Sequence, residues 1–422
     1  MILKNQSKTK VMNRKRIMKR SILLLALLPL CAQSYCAEPV PLPKTTPWNI
    51  EQLTRTPKFE WLKQDGKVHS LKYRAEPYKG QPTSVFAYYA SPATLDNKQS
   101  DQKFSGIVLV HGGGGTAFAN WAELWASRGY AAIAMDLAGR GEERKRLEDG
   151  GPDQTAVDKF GAIDGPIKDQ WSYHAVANVV LAHSLLLSFE EVDKKRTALT
   201  GISWGGYLTC IVAGVDQRFK VAMPVYGCGF LRDNSAWVAS QFDKMKPDQV
   251  EKWHTLWDPS QYIGSASMPV MFVNGTNDFA YPMDSYAKTC AIVRGTKNYS
   301  IQLRMRHGHI FDFPEFFFFV DQYIKDSAPM PVVSKPEIKD DRLSATVDTT
   351  KKLLSARLHF TTGAHRDNKI REWITKSLTV DGTLVRGEAP PADATVWYVD
   401  VTDERKALVS SEVIVRSTQS RE

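Results

Sequence analysis

Cysteine is scarce in this chain. Of its five cysteines, Cys31 and Cys36 fall within the first 37 residues, leaving Cys210, Cys228 and Cys290 in the body. Three scattered thiols make no disulfide framework. Cys210 and Cys228 lie in apolar surroundings and read as core residues; an oxidising compartment permits one bridge, but none is expected. Long apolar runs are also missing: beyond residue 37 none reaches the ~20 residues that a membrane helix needs, so no integral membrane segment is expected there. Internal repeats and low-complexity segments are absent as well. So is a surplus of one charge in the body. The whole chain carries +9, a balance that suits nucleic acid or an anionic surface. However, Lys4, Lys8, Lys10, Arg14, Lys15, Arg16, Lys19 and Arg20 supply eight of those charges, with no acid among the first 37 residues. Taking these eight from the nine leaves +1, and no nucleic-acid partner is expected.

What those first residues contain instead is an address. The basic stretch runs into Ile22-Leu23-Leu24-Leu25-Ala26-Leu27-Leu28-Pro29-Leu30, an apolar core too short to span a bilayer comfortably. Small residues follow, with cleavage expected after Ser34 or Ala37, so residues 1–37 read as a secretory signal peptide. Met18-Lys19-Arg20 makes the more ordinary start of such a leader. Cys31 is a poor lipidation site because Leu30 before it is bulky. The expected location is exported, periplasmic or extracellular.

The body, ample for a large core, begins with a Pro/Thr-rich arm from Glu38 to about Pro57. Two antiparallel strands follow, Val68–Tyr73 and Ser84–Tyr89. From Gly106 apolar strands alternate with helices. The strands are Ile107–Val110, Ala131–Met135, Arg196–Thr200, Val221–Val225, Val270–Val273 and Ile301–Leu303. Continuous apolar strands separated by helices predict a parallel sheet covered on both faces. The helix Tyr173–Phe189 is expected to pack through a stripe of Val176, Val180 and Leu187. Two inserts interrupt the alternation, one near 139–170, charged and glycine-containing, and a Trp-rich one near 233–262. Surface decoration is the plain reading of both. Their place after strand ends favours a substrate-shaping role over the active face. The run Phe316–Phe319 reads as the buried side of a final helix. After a Pro-rich linker at 329–336 the helical period disappears. Short alternating stretches such as Leu343–Val347, Ala356–Phe360 and Val396–Val401 predict an antiparallel β-sandwich of about ninety residues.

The chemistry centres on Gly201-Ile202-Ser203-Trp204-Gly205-Gly206, set between the strand Arg196–Thr200 and an apolar helix from Tyr207 to Ala213. A serine at a strand-to-helix turn, with glycines two before and two after, is a nucleophile elbow: the turn is too tight for side chains at Gly201 and Gly205. A serine hydroxyl is a weak nucleophile unless a base takes its proton, and that base needs a third group to orient it. The strand Val270–Val273 runs into Asp278, and the next strand runs into Met305-Arg306-His307-Gly308-His309. Asp278 is thus the candidate acid, although Asn274-Gly275-Thr276-Asn277-Asp278 is also rich in turn formers. Asp284 is the reserve acid. His307 is the candidate base and His309 the alternative. A metal site on these two histidines is not expected, since no carboxylate or cysteine cluster supports one.

A second signature is His111-Gly112-Gly113-Gly114-Gly115, directly after the strand Ile107–Val110. Consecutive glycines let backbone donors approach an oxyanion closely. A phosphate cradle is the alternative, but Thr116 follows without the lysine that such a loop needs. Gly113 and Gly114, with the backbone N–H of Trp204, are therefore the candidate oxyanion hole. His111 is expected to orient that loop, Asp136 with Gly139-Arg140-Gly141 to be structural, and His174 and His183 to be core or surface residues.

With these pieces assembled, residues from about 65 to 325 resemble the α/β-hydrolase superfamily, most closely the secreted acetyl xylan esterase, dienelactone hydrolase and prolyl oligopeptidase-like groups. The resemblance is carried by Val110-His-Gly-Gly-Gly-Gly-Thr-Ala-Phe, Arg128-Gly-Tyr-Ala-Ala-Ile-Ala-Met-Asp, Gly201-Ile-Ser-Trp-Gly-Gly-Tyr and Asn274-Gly-Thr-Asn-Asp-Phe-Ala-Tyr-Pro. The tail, with Trp373 and Tyr398-Val-Asp-Val-Thr-Asp, resembles the β-sandwich of PhoPQ-activated pathogenicity-related proteins. The resemblance implies an α/β-hydrolase catalytic domain over 38–328, an Ig-like or fibronectin-like β-sandwich over 329–422, a Ser203–His307–Asp278 triad, an acyl-enzyme and no cofactor. The first expectation is a carboxylesterase that removes acetyl or other short acyl groups from carbohydrate, with a small-molecule or polysaccharide ester as substrate. Trp237, Trp253 and Trp257 would then face a sugar-binding cleft. A prolyl oligopeptidase-like peptidase is the enzymatic alternative. It normally carries a propeller of ~40 residues per blade, and fewer than about eighty residues lie between the leader and His111. The charged inserts speak against a lipase. A glycan- or partner-binding protein on a dead hydrolase scaffold is the remaining alternative, disfavoured by an intact serine, acid and histidine.

Overall fold

A computed structural model describes Met1 and residues 38–98, 100–311, 313–363 and 368–416. The leader read in residues 1–37 lies, apart from Met1, outside the described residues. Cys36–Glu422 forms one compact unit.

Nine strands build the main sheet: β1 Phe59–Lys63, β2 His69–Tyr78, β3 Gln81–Ala90, β4 Phe104–Val110, β5 Tyr130–Met135, β6 Val192–Ile202, β7 Val221–Val225, β8 Val270–Gly275 and β9 Lys297–Gln302. They lie in the order β1-β2-β3-β5-β4-β6-β7-β8-β9. β1, β2 and β3 run antiparallel, β3 meets β5 antiparallel, and every pair from β5 to β9 is parallel. The continuous apolar composition of β4, β5, β7 and β8 is explained by burial of every one of their residues. This is an α/β-hydrolase fold, and all the expected strands of the sheet are present.

The helix Trp171–Leu186 departs from its expected amphipathic form. All sixteen of its residues are buried, and Leu187 is the half-buried cap residue rather than part of a stripe. The reason is the N-terminal arm, which crosses the helix. Trp48 Nε1 donates to Tyr173 O at 2.9 Å, and Ser184 Oγ donates to Leu53 O at 2.7 Å. The arm is also not wholly extended: Ile50–Leu53 forms a helical turn capped by Asn49. In the final helix, Pro314–Ile324, Phe316, Phe317 and Phe319 are buried as expected, and Phe318 is half-buried.

Beyond it the described residues form strands, with one 3-10 turn at Asn368–Ile370: β10 Val332–Val333, β11 Glu337–Lys339, β12 Arg342–Asp348, β13 Leu353–Thr362, β14 Ile374–Asp381, β15 Leu384–Glu388, β16 Ala394–Asp403, β17 Leu408–Ser410 and β18 Ile414–Val415. All their pairings are antiparallel. In β12 the alternation of Leu343, Ala345 and Val347 with polar residues becomes an alternation of buried and accessible positions. Residues 329–336 are not a free linker. Met330 is buried, Val332–Val333 pairs with β12, and the Arg405 guanidinium donates to the carbonyls of Ala328 and Pro329. The strand region also touches the main sheet, with Ser410 of β17 paired to Tyr299 of β9.

Candidate active site

β6 ends in the turn that carries Ser203. Its φ of 62° and ψ of −118° lie where a side chain is strained, and a strained, left-handed serine is what lifts the hydroxyl out of the sheet at an elbow. The flanking glycines are obligatory for a packing reason. A Cβ at Gly201 would overlap Gly205 O, and one at Gly205 would overlap Val110 O. The helix Trp204–Val215 starts at the next residue, so the Trp204 N–H is a first-turn donor without an intrahelical acceptor.

Asp278 and His307 arrive from the ends of β8 and β9. Ser203 Oγ donates to His307 Nε2 at 2.9 Å, and His307 Nδ1 donates to Asp278 Oδ2 at 2.6 Å. Asp278 is buried, and its other oxygen accepts the N–H groups of Ala280 and Tyr281, both at 2.8 Å. The turn-forming reading of Asp278 and the catalytic one are therefore both realised: one oxygen holds the loop, the other holds the histidine. Asp284 sits elsewhere, on the helix Met283–Ile292, where it pairs with Arg371 at 3.7 Å. The His307 ring is held by stacking on Tyr226, with centroids 4.4 Å apart and planes at 21°. Tyr226, whose φ is 65°, donates from its hydroxyl to Arg306 O at 2.7 Å. Sequence reading missed this residue; its position directly after β7 is the only signal it carried.

His309 serves the glycine loop. Gly112 N–H donates to His309 Nε2 at 3.1 Å, and the ring packs against Phe118 and Trp121. Burial pushes its pKa down to about 4, which keeps Nε2 an unprotonated acceptor at neutral pH. His111 orients the loop as expected. Its Nε2 accepts from Leu137 N at 2.9 Å, its Nδ1 donates to Gly112 O, and burial lowers its pKa to about 4. Arg144, from the first insert, donates to Gly114 O. Gly112, its N–H occupied by His309, is the glycine set against Ser203 Cβ, and the Gly113 backbone lies directly against the Trp204 ring. Asp136 accepts from Ala138 N and Arg140 N and so ties the next turn. His183 is buried between Asp216 and Thr197, and His174 donates to Lys168 O.

Both inserts reach Trp204, the residue after the serine. Phe160 and Lys159 of the first and Trp237 of the second pack on Trp204, the Lys159 ammonium 4.5 Å from its ring centre. Trp253 and Trp257 do not face a cleft, contrary to expectation. Both are buried, with indole N–H groups donating to Lys159 O and to Gln170 Oε1, because they join the two inserts to each other. Trp237 alone of the three stays half-exposed.

The C-terminal strands add something the sequence did not announce. The Asn277 amide donates to the carbonyls of Asn368, Lys369 and Arg371, and Asn368 Nδ2 donates to Asp278 O at 2.9 Å. The loop that bears the acid is thus clasped from the β-rich region. Cys210, Cys228 and Cys290 are all free and buried. Among the described residues, no helix is long and apolar enough to cross a membrane.

Fold and site together define a serine hydrolase of the α/β-hydrolase type. Comparison with known proteins agrees with that class. The profile of the prolyl oligopeptidase family matches residues 165–317, the stretch from just before the helix Trp171–Leu186 to the helix Pro314–Ile324. A curated relative, the uncharacterized peptidase YuxL of Bacillus subtilis (strain 168), is 26% identical over 201 residues; the match takes in 42% of this chain and only 26% of that protein's length. Among solved structures, the acetyl xylan esterase from Paenibacillus sp. R4 aligns with a TM-score of 0.53 at 18% identity, covering 65% of this chain and 92% of that one. Acetyl xylan esterase 1 from Thermoanaerobacterium sp. JW/SL YS485 aligns with a TM-score of 0.51 at 15% identity, covering 68% and 95%.

Proposed function

We propose that this protein is an exported carboxylesterase that removes acetyl or another short acyl group from carbohydrate. In this reading Ser203 Oγ attacks the ester carbonyl while His307 Nε2 takes its proton. The tetrahedral oxyanion is held by the N–H groups of Gly113, Gly114 and Trp204. His307 then passes the proton to the departing alcohol, leaving an acyl-Ser203 ester that water, activated by the same ring, hydrolyses to the free acid. Asp278 orients His307 and stabilises its charged form. The observation that carries the choice of a short acyl group is the aromatic wall beside the serine. Trp204 lies 4.6 Å from Trp237, which lies 5.3 Å from Tyr281, and in this reading that packed wall bounds the acyl group. Export rests on the leader read in residues 1–37.

A peptidase is the second reading, favoured by the family profile over residues 165–317 and by the name of the Bacillus relative. One panel decides between them: 4-nitrophenyl acetate, butyrate and octanoate, an acetylated polysaccharide, and a Gly-Pro anilide. Acetate release with a steep fall from acetate to octanoate is the expected result. Anilide cleavage without ester preference would establish the peptidase instead. Ser203→Ala should abolish turnover with folding intact, and wild-type activity in that variant would remove the triad from consideration.

A further inference from the structure

Next to the loop that bears Asp278 opens a cavity of about 860 Å³, lined on one side by the second insert, on another by that loop and on the third by the C-terminal strands. Its size falls within the ~300–1,000 Å³ of small-molecule sites. Phe279 connects it to the chemistry: this exposed ring lines the cavity and stands 4.8 Å from the His307 ring. We infer that this cavity receives the alcohol portion of the ester, a neutral, hydroxyl-rich group, so that the β-rich C-terminal region forms one wall of the substrate site. The inference rests on the esterase reading above and extends it to the leaving group.

Two arguments carry it. The first is position. His307 must protonate the departing oxygen, so the leaving group lies on the histidine's side, where the Phe279 ring stands between His307 and the cavity. The second is hydrogen-bond demand. One buried acceptor at the cavity wall, Asn368 Oδ1, has no hydrogen-bond donor among the described residues. A buried acceptor left without a donor is costly, and a polyol supplies donors where an acyl chain or a carboxylate supplies none. The acids nearby are matched, Asp284 by Arg371 and Asp233 by Lys288, and Arg416, which also lines the cavity, donates to Ala392 O, so the wall offers no bare carboxylate to select a cation.

The test fills the cavity from opposite sides. Ala236 and Val415 both line it, one on the insert and one on the β18 edge, and both are exposed, so a larger side chain projects into space rather than into the core. For Ala236→Trp and Val415→Trp the quantity to measure is the ratio of kcat/KM on an acetylated xylo-oligosaccharide to kcat/KM on 4-nitrophenyl acetate. Both variants are expected to lower that ratio at least tenfold, chiefly through KM on the oligosaccharide. Leu354→Trp, at an exposed position of β13 outside the cavity, is the control and should keep the wild-type ratio. A wild-type ratio in both cavity variants overturns the inference alone. A wild-type enzyme that cleaves 4-nitrophenyl acetate but releases no acetate from the oligosaccharide overturns the carbohydrate reading, and the inference with it.

Discussion

His307 and His309 are separated by one glycine yet end in different work, because the chain turns between them. His307 faces Ser203 and Asp278, while His309 turns to the backbone of Gly112. The two substitutions should therefore look unlike each other. His307→Ala is expected to cut kcat by at least about ten-thousandfold, as loss of a triad base does. His309→Leu removes only the acceptor that moors the oxyanion loop, and kcat should fall about tenfold to a hundredfold with KM little changed. His309→Gln keeps an acceptor in reach and should recover most of that loss. Steady-state kinetics on 4-nitrophenyl acetate separate all three, and equal losses in the His307 and His309 variants would contradict the assignment.

At the scale of elements, the site depends on two close approaches. The first is the crossing of the Ser203 turn over the end of β4, where Gly205 leaves no space beside Val110 O. Gly205→Ala should destabilise the protein by about 3 kcal/mol or more, seen in chemical denaturation or as loss of soluble product. The second is the grip of the 368–371 segment on the acid loop. Asn277→Ala deletes three side-chain hydrogen bonds to that segment, the shortest 2.7 Å, and frees the loop on which Asp278 is mounted. The expected result is a stability loss of about 1–3 kcal/mol together with a several-fold fall in kcat. A melting-temperature shift without any kinetic change would limit the clasp to a structural role.

For the molecule as a whole, acid should be the weak side. Burial holds His111, His174 and His309 at pKa values of about 4, below the ordinary 6.5. Between those limits the unfolded chain binds protons that the folded chain refuses, so stability falls as pH is lowered from 6.5 towards 4. His174 alone accounts for up to about 3 kcal/mol of that loss, and a His174→Gln variant should show a flatter melting temperature across this window. The β-rich region belongs to the same cooperative whole. It pairs with β9, holds the acid loop, and sets Arg405 over the Phe318 ring. Removing residues 329–422 would expose all three contacts. The shortened chain is expected to aggregate, or to melt at least about 10 °C lower, by thermal denaturation of the purified protein.

Local pattern in the chain accounts for the catalytic turn and the sheet. Gly201 and Gly205 around Ser203, the glycine run after His111, and the continuous apolar strands each demand one backbone form, so the elbow, the loop and the parallel sheet were legible in advance. So was the placement of Asp278 and His307 past successive strand ends. β15 was overlooked although Asp381-Gly382 signals its hairpin turn. Long-range packing selects which of two neighbouring histidines meets the serine, sets Tyr226 against it, and buries Trp253 and Trp257 between the inserts. It alone brought Asn368 to a loop ninety residues earlier in the chain. Those contacts join segments far apart in sequence, where a side chain's partner is set by packing across the whole unit and by no period or spacing in the chain.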